Sequence, residues 1–250
     1  MNEELHWNSI APNYNKEIFD VFKNDRNGLL PRYFKKHANP DHSVIDFGCG
    51  TGKAFPYIAP QFKNILAVDI STKCLSIARQ NSFDNISYKR MDLAKPNRPL
   101  PQVNFIFCCN VIMLPEISKN VIMIENIRKS LRPQGSALLV VPSLDSILFS
   151  TWRMMDWYRK EGVGPRAIPA AEFSYFKGHK RDILQGVVHI EGVRTKHYSH
   201  AELEVLFKRA GLTITALKRL EYSWKTEFES PPDWMEEPYP WDWMIECTTA

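Results

Sequence analysis

Short apolar runs alternate with helix-period stretches along most of this chain. Residues 44–47, 65–68, 86–91, 103–109 and 137–141 are the first five runs. They are largely continuous rather than strictly alternating, as in strands whose two faces are both covered. Between the second and third runs Ser71 caps a predicted helix to about residue 81, with Leu75, Ile77 and Ala78 turned inward. Between the fourth and fifth, Ile117, Val121, Ile124, Ile127 and Leu131 form one apolar stripe. Apolar clusters at Ile18–Phe22 and Leu29–Phe34 predict helices ahead of the first strand. Downstream, 187–190 and 193–198 flank Glu191-Gly192 as a hairpin, and Ser199 caps a helix that Gly211 stops. Residues 212–217, reaching toward 222, and 243–247 supply a sixth and a seventh strand of the main series. The alternation predicts an α/β fold with helices on both faces of one sheet. Residues 142–199 exceed a normal connection and predict an inserted lid.

The end of the first run carries the strongest chemical signal. Asp46-Phe47-Gly48-Cys49-Gly50-Thr51-Gly52 joins a buried strand to a residue series, 53–59, that can begin a helix. Glycines there let a ligand approach the main chain, and helix N–H groups would face it. A dinucleotide fingerprint requires a small third residue, but Lys53 or Phe55 stands there, which disfavours a nicotinamide dehydrogenase. Asp69 closes the second strand 21 residues past Gly48, near the separation of a ribose-binding acid. Ile70 follows, placed to cover one face of a base.

Composition narrows the class without naming a function. The 250 residues are 44% hydrophobic and 24% charged, with a net charge of +4, too small to argue for nucleic acid alone. No run approaches the roughly 20 apolar residues of a membrane span, and residues 1–4 lack a secretory pattern. Five cysteines without a scaffold spacing suggest reduced thiols and a cytoplasmic setting, and no C-x-x-C or H-x-x-x-H pair predicts zinc.

Taken together, Asp46 with G-x-G-x-G resembles the first motif of the class I methyltransferases that use S-adenosylmethionine. The resemblance covers about residues 40–140 and 199–250. It implies a Rossmann-like doubly wound seven-stranded sheet, mostly parallel, closed by an antiparallel last strand. Leu131, Pro133 and Gly135 match the Leu-x-Pro-x-Gly that often precedes the fifth strand in the family. Trp7, Ala11 and Tyr14 match an aromatic and Ala-x-x-Tyr on a segment that folds over the cofactor. Asp92 and Leu93 match the acid that binds the adenine amino group and the N–H that meets a ring nitrogen. Asn110 stands at the end of the fourth strand, but the Pro-Pro-aromatic of enzymes acting on DNA bases does not follow it. The implied cofactor set is Tyr14, Asp46, Gly48, Cys49, Gly50, Asp69, Ile70, Asp92, Leu93 and Asn110.

These readings predict one domain over residues 1–250. Residues 1–40 form a helical cover, 41–141 the cofactor core, 142–199 the lid, and 200–250 the closing helix and hairpin. Strand order places the motifs at one crevice beyond the strand ends. The lid, with nine Lys/Arg against five Asp/Glu over 151–200, and the acidic, Trp-rich segment 221–242 leave the sheet at that same mouth. They either face each other across the entrance or pair as a charged cover. Trp152, Tyr175, His189, Tyr198 and Trp224 are the substrate candidates. His179, His189 and His197 are possible bases, and none is singled out. The expected reaction is methyl transfer to an O or N nucleophile of a small molecule, with no membrane partner and nucleic acid disfavoured. An RNA methyltransferase and a non-catalytic S-adenosylmethionine-binding protein are the alternatives.

Overall fold

The central strands are apolar nearly throughout because both sheet faces are covered. In a computed structural model of the chain, describing residues 3–96, 100–190 and 192–249, Ile45, Phe47, Ile106 and Leu139 pack into one face. Val44, Phe105, Phe107 and Leu138 pack into the other. The strands are β1 (Asn39–Phe47), β2 (Phe62–Asp69), β3 (Ile86–Arg90), β4 (Val103–Cys109) and β5 (Leu131–Pro142). After them come β6 (Val187–Ile190), β7 (Val193–Lys196), β8 (Leu212–Glu221) and β9 (Trp241–Thr249). Seven form a sheet in the order β3-β2-β1-β4-β5-β9-β8, while β6 and β7 pair separately. The four pairings among β1–β5 are parallel, and β9 runs antiparallel to both β5 and β8. The Rossmann-like expectation holds, with the sixth strand running to Glu221, close to the reach toward 222, and the seventh longer at both ends than its apolar run suggested.

Parallel order sets the location of function. The chain reverses its direction of progress along the sheet between β1 and β4, so ligand space opens beyond their carboxyl ends. The helix Thr72–Ala78 begins there, capped by Ser71 Oγ, which accepts the Cys74 N–H at 3.0 Å. The helix Ile117–Ser130 follows β4. Its Asn120 and Asn126 are buried, polar positions on an inner face shared with Met123, Ile124 and Ile127.

The helix after the glycine turn differs from expectation. A single turn, Phe55–Ile58, passes into a 3-10 turn, Ala59–Gln61. Pro56 lies in the first turn, where its missing N–H is tolerated, but Pro60 has no N–H for the carbonyl four residues back, so the helix cannot continue past it. The ligand-facing groups at the turn are therefore those of the loop itself.

The predicted insertion is built from the helix Leu144–Lys160, 3-10 turns, a short helix Lys180–Leu184 and the β6–β7 hairpin. Lys196 in β7 is fully buried, and its ammonium donates to Gln185 O, His197 O and Glu202 Oε2 at 2.6–2.8 Å. Three donors meet three acceptors, so the hairpin is pinned to the chain on both sides. Burial lowers the Lys196 pKa, and Glu202 opposes that shift. All five cysteines are free.

Candidate functional site

The site starts where β1 ends. Gly48 N–H and Cys49 N–H both donate to Val68 O, at 2.8 and 3.0 Å, stitching the turn to β2. Gly48 and Gly50 lie in the left-handed region, at φ 86° and 52°. A Cβ on Gly50 would sit 2.5 Å from the Tyr14 hydroxyl, and one on Gly48 would collide with Val111. Asp69 then fixes the loop from the next strand. Its Oδ2 accepts Gly50 N–H at 2.8 Å and its Oδ1 accepts Ser71 N–H at 2.8 Å. Burial raises the Asp69 pKa, against the lowering effect of those N–H groups and that of Ile70.

The N-terminal segment is drawn onto this turn by residues that periodicity does not expose. Asn8 Oδ1 accepts Ser71 Oγ–H at 2.8 Å and Lys73 N–H at 3.2 Å, extending the cap of the following helix. Lys53 reaches Asp20 at 3.3 Å and lies 5.4 Å from the Tyr14 ring centroid. Tyr14 is thereby set over Gly50 with Trp7 beside it, ring centroids 6.4 Å apart. Burial first, then the Asp69 charge, raises the Tyr14 pKa, so its phenol stays protonated.

A cavity of about 600 Å³ opens between this segment and the strand ends, within the usual range for a small-molecule site. Tyr14, Gly48, Gly50, Asp69, Ile70, Asp92, Leu93 and Asn110 all line it. At the β3 end, Asp92 Oδ1 accepts Ala94 N–H at 3.0 Å. Asn126 donates to Leu93 O and Lys95 O at 2.9 and 3.1 Å. Asn120 clamps Leu114 by both main-chain groups, at 3.0 and 2.7 Å. Lys196 N–H donates to Met113 O at 2.9 Å, attaching the hairpin to the same wall. The buried asparagines of one apolar helix face were the only sequence signal for this construction.

Other expected residues lie elsewhere. Asp46 and Cys49 are buried behind the turn and do not line the cavity. Of the five substrate candidates only His189 lines it. Register pairs His189 with Arg194, whose guanidinium is held by Asp182 at 2.9 Å. His197 is buried, and burial lowers its pKa to about 4. Tyr198 is buried beneath the Lys196 ammonium. Trp224 is buried, with its indole N–H donating to Glu236 O at 3.1 Å. Trp152 is exposed and stacks on Phe149, while Tyr175 belongs to the 3-10 segment Ala170–Phe176. Trp152, Tyr175, Tyr198 and Trp224 are thus all outside the cavity lining.

The basic helix and the acidic segment pair with one another rather than across the cavity. Arg153 lies over Trp224 and Trp234, at 5.7 and 5.3 Å, and Lys160 lies 3.5 Å from the Trp234 centroid. Indole faces attract cations, so each half satisfies the other. The two segments do meet, but through indoles: among the described residues no carboxylate of 221–242 forms an ion pair with a lid cation, and Arg153 reaches the Glu236 main-chain O rather than its carboxylate.

Whether a nucleoside with an amino-acid tail fits can be judged from the donors and acceptors present. Asp69 retains acceptor capacity beyond its two N–H partners, suited to paired ribose hydroxyls. Asn110 Oδ1, on a residue that lines the cavity, is a buried acceptor without a partner, which a cationic donor would complement. Burial, reinforced by Asp69, pushes the Asp46 carboxyl up to about 8. The donor set therefore fits S-adenosylmethionine. Among the described residues no group of three or more His, Cys, Asp or Glu is arranged for a metal, and no helix is long and apolar enough to cross a membrane.

Comparison with known proteins agrees. A model of the methyltransferase domain matches residues 22–217, and the chain belongs to that family. A probable S-adenosylmethionine-dependent methyltransferase of Saccharomyces cerevisiae is 32% identical over 80 residues. That segment is 32% of this chain and spans about a quarter, 24%, of the yeast protein. An S-adenosylmethionine-dependent methyltransferase of Anabaena variabilis superposes with a TM-score of 0.65 at 17% identity, covering 100% of this chain and 96% of its own. One from Methanosarcina mazei gives 0.61 at 14% identity, covering 87% and 96%. The family's cofactor is S-adenosylmethionine.

Proposed function

We propose that this chain transfers a methyl group from S-adenosylmethionine to an O or N nucleophile of a small molecule. The observation that carries the reading is the convergence of Gly50, Asp69, Asp92 and Asn110 on one cavity. In this role Asp69 receives the ribose hydroxyls, Asp92 and the Leu93 N–H read the adenine edge, and Ile70 covers a base face. Tyr14 and Asn110 flank the amino-acid end.

S-adenosylmethionine supplies a methyl group already activated on a sulfonium, so the chain's task is alignment and exclusion of water. Tyr14, Trp7 and the pinned hairpin enclose the cavity for that purpose. Val111, Met113 and Leu114 adjoin Asn110 along the wall. This favours an acceptor with a hydrophobic body over a polyanion. No general base is assigned, because His189 is the sole candidate histidine at the cavity and its hairpin neighbour is tied to Asp182.

The test is transfer of a labelled methyl group to a metabolite panel, with total RNA alongside. Labelled small-molecule product supports the proposal. Label confined to RNA would replace it with the RNA reading, and cofactor binding without transfer to any acceptor would leave a binding protein.

A further inference from the structure

Asn110 is the residue through which the cofactor cavity meets the closing hairpin of the sheet. It follows β4 directly, at φ 53°, and its N–H donates to Val140 O at 2.9 Å. A left-handed non-glycine residue is uncommon and tolerated best by Asn and Asp. The backbone thus sends this side chain away from the path a continuing strand would take.

The amide orientation is decided from β9. Asp242 Oδ2 accepts Tyr222 O–H at 2.8 Å and faces Asn110 Nδ2 at 3.5 Å, the long end of hydrogen bonding. Burial pushes the Asp242 carboxyl up to about 6, while Tyr222, Asn110 and Ser143 N–H draw it down, so the carboxylate prevails at pH 7. A carboxylate only accepts, so it must face the amide nitrogen. Oδ1 is then turned to the other side, where it is buried without a partner. A missing partner for a buried acceptor marks a place for a donor.

Strand order says which end of the ligand that donor belongs to. Asp92 follows β3, Asp69 ends β2, Gly48 follows β1 and Asn110 follows β4. Three strand spacings separate Asn110 from Asp92, roughly 14 Å at the usual spacing. That is the reach of an extended nucleoside with an amino-acid tail. With adenine at Asp92, the group arriving at Asn110 is the tail, and its hydrogen-bond donor is the ammonium.

We infer that Asp242 and Tyr222 are positioning residues that hold the Asn110 amide so that Oδ1 accepts from the ammonium of the cofactor's amino-acid end. This rests on the methyltransferase reading above. Neither residue touches the cofactor; both act through Asn110. The Phe19 ring meets Tyr222 edge-on, centroids 4.8 Å apart, which restrains the phenol from the N-terminal side. The closing hairpin of the sheet thereby takes part in cofactor recognition as well as in completing the core.

Two nucleosides separate this role from a merely structural one. S-adenosylhomocysteine carries the ammonium, and 5′-methylthioadenosine lacks the amino-acid tail. Binding of both is measured by calorimetry to wild type, Asp242→Ala and Tyr222→Phe. Asp242→Ala should weaken S-adenosylhomocysteine about tenfold and leave 5′-methylthioadenosine within about twofold, the scale of one charge-assisted hydrogen bond. Tyr222→Phe, which keeps the ring, should show the same selectivity at about threefold. It decides the matter if Asp242→Ala does not fold. Equal loss for both nucleosides, or unchanged S-adenosylhomocysteine affinity, would overturn the inference while leaving the cofactor reading standing. Failure of the wild type to bind either nucleoside would remove that reading, and this one with it.

Discussion

The Asp69 carboxylate accepts the Gly50 N–H at 2.8 Å, so the acid at the end of β2 also shapes the glycine turn at the end of β1. One side chain sets the main-chain cradle and presents oxygens to the cavity. Loss of the carboxylate removes both effects at once. Asp69→Ala should weaken S-adenosylhomocysteine at least tenfold, with each charge-assisted hydrogen bond contributing ~1.5–3 kcal/mol. Calorimetry together with a thermal melt checks this; unaltered affinity in a folded variant would refute the ribose role.

Tyr14 and Gly50 are complementary in shape. Gly50→Ala places a methyl 2.5 Å from the Tyr14 hydroxyl at a φ of 52°, a conformation costing about 1–3 kcal/mol for a residue with a side chain. The melting temperature and cofactor affinity should both fall. Adding Tyr14→Phe removes the nearest atom, so the double variant should recover part of the loss. A strictly additive pair would show that the two residues do not meet.

Asp46 predicts a pH dependence with a defined sign. Its folded pKa is about 8 against the ordinary 3.8 of an aspartate, raised by burial and then by Asp69. The folded state therefore holds a proton that the unfolded state has lost between those values. This contribution to stability is complete below about pH 4 and is lost as pH rises through about 8. Asp46→Asn should flatten that part of the stability–pH curve. A cationic cofactor favours the carboxylate, so binding near pH 7 should release protons. Calorimetry in two buffers of different ionisation enthalpy would detect the release, and a buffer-independent heat would count against it.

Lys196 anchors the hairpin wall. Lys196→Ala leaves Gln185 O, His197 O and Glu202 without their donor. Breaking a buried charge pair in this way costs roughly 3–5 kcal/mol. The expected outcome is a lowered melting temperature and faster proteolysis within residues 185–196. Wild-type proteolysis kinetics would show the hairpin to be held by other contacts.

Strand rhythm and the acids at strand ends were legible because they obey local rules. A buried parallel strand must be apolar, and a close ligand approach needs glycine, whatever the remainder of the chain does. From these followed the strands, the core helices, and the cavity positions of Gly48, Gly50 and Asp69, while the closed seven-stranded order and the place of Asp92 followed from the family resemblance. The sequence also marked Ser71 and Ser199 as caps, since a hydroxyl accepting the N–H three residues on is a local bond.

Only the tertiary structure decided which aromatic residues meet the ligand. Trp224 and Trp234 are as well suited to a cation in a substrate as to one in the protein, and Arg153 and Lys160 reach them first. Nothing in the order of residues says which cation will be nearer. The links of Asn8 to Ser71, and of Asn110 to Asp242, likewise join positions 63 and 132 residues apart. Such pairs come together through sheet order and the packing of the N-terminal cover, which no local periodicity encodes. The chain's own pattern thus determined the cofactor cradle, while the fold in space determined what encloses it and what holds Asn110 toward it.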